Sequence, residues 1–319
     1  MELRQLKYFV RIVELGSLSR AAADLYIAQP ALSQQLASLE SELAQRLLVR
    51  STRGVSPTQA GETFYRHAQA VLRQMERLQS DVRDNSLEPS GSVSIGMPPS
   101  VANMLAEPLA WAVRERFPRL RLQIREGLSG PLEELVANGR IEMCLLFDRA
   151  TASASGAPPR AAMSYLNVHP LLTEELLLLT AGSEPWGAPV SLKEAAAQRF
   201  VLFPGPVNAT RQMIQETWDK AGYQLDIVAE LDSIATIKSL VAQGMGATIL
   251  SSSALSTRHA EGLTARRIEG VDLTRRVCLC TYNVAAIGDA AECVVGLINE
   301  ITQSLVHGGH WRGATLLAA

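Results

Sequence analysis

Small, uncharged side chains that can form hydrogen bonds share one face of a helix predicted to begin at Pro30. This face carries Pro30, Ser33, Gln34 and Ala37, where a merely solvated helix would carry lysine and glutamate. The opposite face is a leucine stripe at spacings of four, three and four, formed by Leu32, Leu36, Leu39 and Leu43. Glutamine can bond the edge of adenine and serine can bond several bases, so the polar face suits contact with base edges in a DNA groove.

A shorter helix precedes this one and can hold it in place. Its inner face is formed by Leu18, Ala21, Ala22 and Leu25. Ser17 or Ser19 can cap its start. The two alanines let a crossing helix approach closely, as a helix-turn-helix requires. These residues alone leave an alternative open, which is an ordinary helical hairpin inside an enzyme.

Three arginines without an acidic residue among them follow within eight positions, at Arg46, Arg50 and Arg53. A short apolar strand, a turn with Gly54 and a return strand are typical of a small β-wing. Arg50 and Arg53 at its rim can reach phosphates or the minor groove beside the helix that begins at Pro30. The alternative for these arginines is a solvated loop.

A long amphipathic helix is predicted to start at Thr58, which can cap it. Its apolar residues follow a heptad pattern with spacings of 4-3-4-3-4: Phe64, Ala68, Val71, Met75, Leu78 and Val82. About 27 residues at ~1.5 Å each give a rod of about 40 Å that needs a partner in water. Pairing with its own copy would make a dimer, and the alternative is burial on the C-terminal part of the chain.

The rest of the chain alternates short apolar strands with helices. The strands are predicted at 92–96, 120–124, 143–147, 176–180, 200–203 and 247–251, and the helices at 101–117, 131–139, 208–221 and 233–243. This alternation indicates an α/β domain with largely parallel sheets. Polar and helix-breaking residues at 84–91 predict a hinge before the domain, and residues 153–160 are interpreted as a loop between two lobes.

Composition and motifs argue against several classes of protein. The 319 residues hold 30 Lys plus Arg and 32 Asp plus Glu, so any DNA-binding surface must be local. The four cysteines lie in apolar runs without a complete zinc set, which predicts buried, reduced thiols and no metal. No signal peptide and no apolar run of ~20 residues is apparent, which predicts a cytoplasmic protein off the membrane. The histidines are scattered and GLSGP at 127–131 lacks the spacing of a nucleophile elbow, so neither an enzyme nor a cofactor is predicted.

The stretches LKYFVRIVELGSLSRAAADLYIAQPALSQQLASLE and LLVRSTRGVSPTQAGE resemble the N-terminal domain of the LysR-type transcriptional regulators. The resemblance is dense over about the first 60 residues and continues as patterns to around residue 300. Through IAQPALSQQ, RGVSPTQAG and VSIGMPP, the chain most resembles the subgroup of this family that controls nitrogen assimilation.

The resemblance implies an N-terminal, all-α winged helix-turn-helix with a long coiled-coil linker helix, and a C-terminal α/β domain of two lobes like type 2 periplasmic binding proteins. We predict the DNA-binding domain at 1–57, the linker helix at 58–87, the hinge at 88–91 and the regulatory domain at 92–306. The first lobe would comprise 92–163 and 267–306, and the second 164–266, with the chain crossing near 164 and 266. Residues 307–319 lack a clear period and are predicted to be a disordered tail.

The resemblance also assigns sites and partners. It implies that double-stranded DNA is contacted by Ser19, Ala28, Gln29, Pro30, Ala31, Ser33, Gln34, Arg50 and Arg53. It implies an effector cleft lined by Ser100, Val101, Ser129, Gly130, Phe203, Pro204, Asn208 and Thr210. Helix starts at this cleft suit a small anion, typically a carboxylate. The family further implies a dimer of dimers that acts with RNA polymerase.

Alternatives stay open at this point. Pro98 and Pro99 stand where many relatives carry more polar groups, which argues against a polar effector. The subgroup resemblance is also compatible with a regulator that needs no effector and whose abundance sets its activity. The alternative function is a cytoplasmic α/β ligand-binding or enzymatic protein whose N-terminal helices serve only for oligomerisation.

Overall fold

A computed structural model of the chain describes residues 1–51, 54–83, 88–148, 166–205, 208–255, 262–283 and 287–317. The helices are α1 (Leu3–Leu15), α2 (Leu18–Asp24), α3 (Gln29–Glu42), α4 (Gln59–Arg83), α5 (Pro99–Arg116), α6 (Ser129–Ala137), α7 (Leu192–Ala196), α8 (Ala209–Lys220), α9 (Ile234–Ala242) and α10 (Asp289–His307). The strands are β1 (Leu48–Ser51), β2 (Gly54–Pro57), β3 (Gly91–Met97), β4 (Leu120–Glu126), β5 (Met143–Asp148), β6 (Leu166–Ala181), β7 (Val190–Ser191), β8 (Arg199–Leu202), β9 (Asp226–Glu230), β10 (Thr248–Ser251), β11 (Leu263–Arg266), β12 (Ile268–Glu269), β13 (Thr274–Tyr282) and β14 (Ala314–Leu316). In these ranges no helix combines the length and the apolar character that a membrane crossing needs.

The N-terminal domain packs α1, α2, α3 and the β1–β2 wing around one core. The core contains Phe9, Ile12, Leu18, Ala21, Leu32, Leu36, Leu39 and Leu47. Gly16 ends α1 in the left-handed conformation, with φ of 59°, and Ser17 then caps α2 by accepting a hydrogen bond from the Arg20 N–H. Ala21 of α2 is fully buried in the core that it shares with Leu32 and Leu36 of α3, as a close approach of the two helices requires.

The linker helix α4 starts in contact with the wing. The Thr58 hydroxyl accepts a hydrogen bond from the Gly61 N–H at 3.0 Å and donates one to the Arg46 carbonyl at 2.7 Å. A Cβ on Gly61 would lie 1.9 Å from the carbonyl oxygen of Leu47, so this contact requires glycine. Backbone contact therefore sets how α4 leaves the DNA-binding domain.

The first two residues of the predicted dimer stripe pack within the chain. Phe64 packs on Phe9 of α1, and Ala68 is buried with Leu6 and Val10. The assignment of Ala68 to the dimer contact is wrong, because α1 buries its side chain, whereas Phe64 is half-buried and stays a predicted dimer contact. The heptad spacing could not show this, since a stripe buried on a neighbouring helix has the same period as one buried on a second copy.

The later residues of the stripe remain accessible. Val71 is 46% exposed and Leu78 is 53% exposed, while Met75 is half-buried. The side chain of Val82 and residues 84–87 of the predicted linker lie outside the described residues. The second half of the stripe is thus open to a second copy of the helix.

The regulatory domain consists of two lobes that share the 16-residue strand β6. The first part of β6 pairs with β13 and β14, and its last part pairs with β10 and β11, all antiparallel. In the first lobe β13, β5, β3 and β4 continue the sheet, and α5, α6 and α10 pack on it. In the second lobe the pairs β8–β9 and β7–β12 are parallel, and α7, α8 and α9 cover them. The sheets are mixed rather than largely parallel, because β6 and β13 run antiparallel to their neighbours.

The chain passes from one lobe to the other at later positions than predicted. The first crossing lies within β6 at Glu174 and Glu175, and the second lies at Thr274, where β13 begins. The predicted crossings near 164 and 266 are wrong because β6 is one continuous strand across both lobes, whereas its apolar run indicated a strand only at 176–180. The predicted inter-lobe loop at 153–160 lies outside the described residues, and the predicted hinge at 88–91 ends where β3 begins at Gly91.

The C-terminal segment is ordered to residue 317, so the predicted disordered tail is wrong there. Trp311 is fully buried, and β14 pairs with β6 through Ala314 to Leu316. Burial of an indole and three paired residues holds a segment that shows no sequence period. The tail therefore completes the first lobe, beyond the predicted limit at residue 306.

Candidate DNA-binding and effector sites

The two faces of α3 separate as the sequence predicts. Its buried residues are Leu32, Leu36 and Leu39. Six of the predicted DNA-contacting residues are exposed: Ser19 at the start of α2, and Ala28, Gln29, Pro30, Ala31 and Gln34. Ser33 is half-buried. Ala28 is the N-cap residue, and the Gln29 amide lies 3.5 Å from the Ser33 hydroxyl, one turn further along the helix. The exposed face is thus uncharged and presents amide and hydroxyl groups outward.

The turn between α2 and α3 presents an aromatic residue that the sequence analysis did not single out. Tyr26 is 95% exposed and has a φ of 55°, the left-handed region that a non-glycine residue rarely adopts. A phenol hydroxyl can donate to a phosphate oxygen. Its only sequence signal was a large aromatic residue in a turn between two small-residue helices.

The wing carries its positive charge beside α3. Arg50 is exposed on β1 and pairs with Val55 of β2, and Arg46 is exposed just before the wing. The Val55 N–H donates to the Gly16 carbonyl at 2.9 Å, which ties the wing to the end of α1. Arg53 lies outside the described residues.

Four helix starts meet at a cavity of about 90 Å³ between the lobes. The cavity is reached by the first residues of α5 and α6 in the first lobe, and of α8 and α9 in the second. Asn208 caps α8 by accepting from the Arg211 N–H, and Ser233 caps α9 by accepting from the Thr236 N–H. The helix dipoles therefore bring four partial positive charges toward one point.

Six of the eight residues predicted for the effector cleft line this cavity: Ser100, Ser129, Gly130, Phe203, Asn208 and Thr210. Val101 does not, because its side chain is fully buried in the core of the first lobe, and Pro204 is not among the lining residues either. The lining residues that sequence reasoning missed include Phe147, Gln212, Asp232, Ile234, Ser251 and Arg275.

Arg275 is the largest omission, because its guanidinium forms the floor of the cavity. It is 6% exposed and bonds to side chains from both lobes. Its Cζ lies 3.5 Å from the centre of the Phe147 ring, a cation–π contact. Burial lowers the pKa of Arg275, and the Glu174 carboxylate acts in the opposite direction; an arginine starts from so high a pKa that it stays charged. A charged residue at the start of the apolar strand RRVCLCTY was the available signal, since buried charges need partners.

Nothing in the described ranges groups three or more His, Cys, Asp or Glu side chains where they could hold a metal ion. Three cysteines, Cys144, Cys278 and Cys280, are buried free thiols, and Cys293 is partly exposed. Burial is the largest cause that raises the pKa of Cys144, which keeps it a neutral thiol.

Comparison with known proteins assigns both domains to known families. Residues 3–62 match the family described as bacterial regulatory helix-turn-helix protein, lysR family, and residues 86–302 match the LysR substrate binding domain. The chain is 39% identical over 255 residues to the nitrogen assimilation regulatory protein nac of Klebsiella aerogenes, covering 80% of this chain and 79% of that protein.

Solved structures agree with the fold. A cysteine-to-serine mutant of OxyR from Corynebacterium glutamicum, bound to hydrogen peroxide, is 26% identical, covers 99% of both chains and superposes with a TM-score of 0.57. A full-length cysteine-to-aspartate mutant of OxyR from Pseudomonas aeruginosa is 22% identical and covers 100% of this chain and 99% of its own, with a TM-score of 0.69, which speaks for the fold alone. With a helix-turn-helix at its N-terminus and a two-lobe substrate-binding domain behind it, this chain belongs to the LysR family of DNA-binding transcriptional regulators, which are not enzymes.

Proposed function

We propose that the chain binds dyad-symmetric promoter sites in double-stranded DNA, with α3 in the major groove and the wing on the adjacent phosphates. The observation that carries this proposal is the division of α3 into a leucine face in the domain core and an opposite face where Gln29 and Gln34 are exposed and Ser33 is half-buried. Amides and hydroxyls at the surface of a helix can bond base edges, whereas Arg50 on the wing is placed to neutralise phosphates or to reach the minor groove. Tyr26 adds a phosphate donor at the turn before α3.

The regulator acts as an oligomer in this proposal. The exposed Val71 and Leu78 of α4 supply an apolar strip for a second copy, which sets two α3 helices at half-sites near whole helical turns apart. The regulatory domains then join two dimers, and the assembly meets RNA polymerase at the promoter, in the cytoplasm where the DNA lies. The alternative, in which the N-terminal helices serve only for assembly, is disfavoured by the helix-turn-helix match over residues 3–62.

The regulated genes belong to nitrogen metabolism in this proposal. The support is the similarity to the nac protein, whose name states its role in nitrogen assimilation. Activity responds to a small anion in the inter-lobe cleft, held by the starts of α5, α6 and α8 and by the hydroxyls of Ser129 and Thr210. An effector-independent regulator, set by its abundance, is the alternative that the same similarity leaves open.

Selection of DNA fragments from a randomised pool, followed by affinity measurements over a salt series, tests the DNA-binding proposal. We expect an enriched site with two-fold symmetry, and a steep loss of affinity with salt on every sequence. Ser33→Ala should weaken binding to the selected site and leave binding to bulk DNA almost unchanged. Binding without any sequence preference, or a selected site without symmetry, would count against the proposal.

A further inference from the structure

The floor of the inter-lobe cleft is a buried ion pair between β13 and β6. The Arg275 Nε donates to the Glu174 Oε1 at 2.7 Å, and the Arg275 Nη2 lies 2.5 Å from the same oxygen. The exposed fractions of Arg275 and Glu174 are 6% and 0%. Two opposite charges are stable at such a depth only when they pair and when their remaining groups are also satisfied.

The remaining donors of the guanidinium reach both lobes. The Nη2 donates to the Ser100 hydroxyl of the first lobe at 3.1 Å. The Nη1 donates to the Thr210 hydroxyl at 2.6 Å and the Nη2 to the Ser251 hydroxyl at 2.8 Å, both in the second lobe. Separation of the lobes would therefore break bonds to a buried cation.

The Glu174 carboxylate also has hydrogen-bond partners on both oxygens. Its Oε2 accepts a hydrogen bond from the Trp311 indole at 3.1 Å, so both oxygens of Glu174 have partners. Trp311 lies in the C-terminal segment, and β14 fastens that segment to β6 three residues further on. The tail thus positions the carboxylate toward Arg275.

The cavity in front of this pair is small. Its volume of about 90 Å³ lies below the range of about 300–1,000 Å³ that small-molecule sites commonly have. A second carboxylate at Arg275 would have to displace Glu174 or one of the three hydroxyls, because the Nε, Nη1 and Nη2 are all bonded.

We infer that Glu174 is a carboxylate ligand that the chain supplies to itself, and that its pair with Arg275 fastens the two lobes together across the cleft. The guanidinium serves as a positioning group for the lobes and is not the binding group for an outside anion. An effector of the kind proposed above would bind the helix starts and hydroxyls beside the pair, and the inference stands whether or not such an effector exists.

Chemical rescue of the full-length chain tests this inference. Glu174→Ala removes a CH2–COO⁻ group, and acetate has nearly the same shape and charge. We expect the variant to melt roughly 10 °C below the wild type. Sodium acetate up to about 100 mM should recover much of this loss with a saturable dependence, as binding to the native state requires. Sodium chloride of equal ionic strength is the control.

The double variant Glu174→Ala/Arg275→Met separates this site from any other acetate site. It should show no response, because the guanidinium that would hold acetate is absent. Acetate that stabilises the double variant equally, or that stabilises the wild type as strongly as the single variant, overturns the inference. All these measurements are made without DNA, so a failure of the proposed DNA-binding function would not affect them.

Fastening of the lobes has its own readout in amide hydrogen exchange. In Glu174→Ala, exchange should increase at the starts of α5 and α8, which lie in different lobes, and acetate should reverse it. Faster exchange confined to β6 and β13 would show that the pair stabilises the sheet without fastening the lobes, and would overturn the inference.

If Glu174→Ala does not fold, the isosteric variant Glu174→Gln and the variant Arg275→Met provide a second test, in which melting temperatures are compared. Each single variant should melt well below the wild type, because each leaves one buried charge unpaired. The double variant Glu174→Gln/Arg275→Met should lose clearly less than the sum of the two losses. Additive losses would mean that the two side chains act independently, which contradicts the inference.

Discussion

Phe9 and Phe64 meet edge to face, with ring centroids 5.0 Å apart and ring planes at 89°. The contact joins α1 of the DNA-binding domain to the linker helix α4. Together with Gly61 against the Leu47 carbonyl, it determines how α3 is presented relative to the rod that carries it.

Replacement of Phe64 by alanine tests this contact. Loss of the half-buried ring should destabilise the α1–α4 contact by about 2 kcal/mol, whereas Phe64→Leu should lose less. Hydrogen exchange at the α1 amides reports the contact directly. Unchanged exchange in α1 of Phe64→Ala, combined with a smaller oligomer, would indicate that Phe64 lies mainly in the dimer interface, as the heptad pattern predicted.

The roles of α3 and the wing should separate on DNA. Ser33→Ala and Gln34→Ala are each expected to cost ~1–3 kcal/mol on the selected site and to relax base preference. Fluorescence anisotropy with the selected site and with single-base variants measures both effects.

Arg50→Ala should weaken binding to all sequences and reduce the salt slope by about one ion. Arg121→Ala, an exposed arginine of β4 in the regulatory domain, is the matched control and should leave the slope unchanged. A change of base preference in Arg50→Ala, with none in Ser33→Ala, would reverse the two assignments.

The exposed half of the heptad stripe should control the oligomeric state. Val71→Asp and Leu78→Asp place charge where the side chains are already accessible, so the isolated chain should fold normally. In a helix–helix seam the same charges would be buried without partners, and the oligomer should dissociate. Light scattering measures the mass. Thr63→Asp, exposed and off the stripe, is the control, and an oligomer that survives Val71→Asp/Leu78→Asp would exclude α4 as the main contact.

A ligand in the cleft should depend on Ser129. Among the described residues its hydroxyl accepts one long hydrogen bond, from the Phe147 N–H at 3.4 Å, and a hydroxyl that accepts can still donate. Ser129→Ala should reduce the affinity for a cleft-bound anion about tenfold and leave DNA affinity without ligand unchanged. Ser100 and Thr210 are less suitable for this test because their hydroxyls already bond to Arg275. Calorimetry against small carboxylates and amino acids measures binding, and the absence of heat from every compound would favour regulation by abundance.

The stability of the second lobe should rise with pH because of Lys238. This residue is 5% exposed, its Nζ donates to the Ala254 carbonyl at 2.7 Å, and burial lowers its pKa below the ordinary 10.5. Between the lowered value and 10.5 the unfolded chain binds more protons, so the free energy of unfolding increases as pH rises through that window. Lys238→Met should abolish this increase, while the exposed Lys193→Met should retain it. Denaturant melts at several alkaline pH values provide the measurement, and identical pH profiles for wild type and Lys238→Met would disprove the assignment.

The sequence by itself determined the parts of the protein whose physics is local. The leucine period of α3, the small residues of α2 and the two short wing strands act over a few residues, and the structure reproduces each of them. The start of α8 was also predictable, because Asn208 caps it by accepting a hydrogen bond from the Arg211 N–H; α5 and α6 begin at Pro99 and Ser129, two residues before the predicted 101 and 131 and without a side-chain cap. Family membership followed from these same stretches.

Only the tertiary structure decided which stripe residues face the chain itself and which groups meet in the cleft. Ala68 and Val71 belong to one heptad pattern, and only the position of α1 separates the buried residue from the exposed one. Arg275 and Glu174 lie 101 positions apart, and Trp311 lies 137 positions beyond Glu174. Each residue alone signals that a charge or an indole in an apolar run needs a partner. Strand β6 crosses both lobes and brings three distant segments together, and this tertiary arrangement determines which residues become partners. No periodicity along the chain indicates those partners.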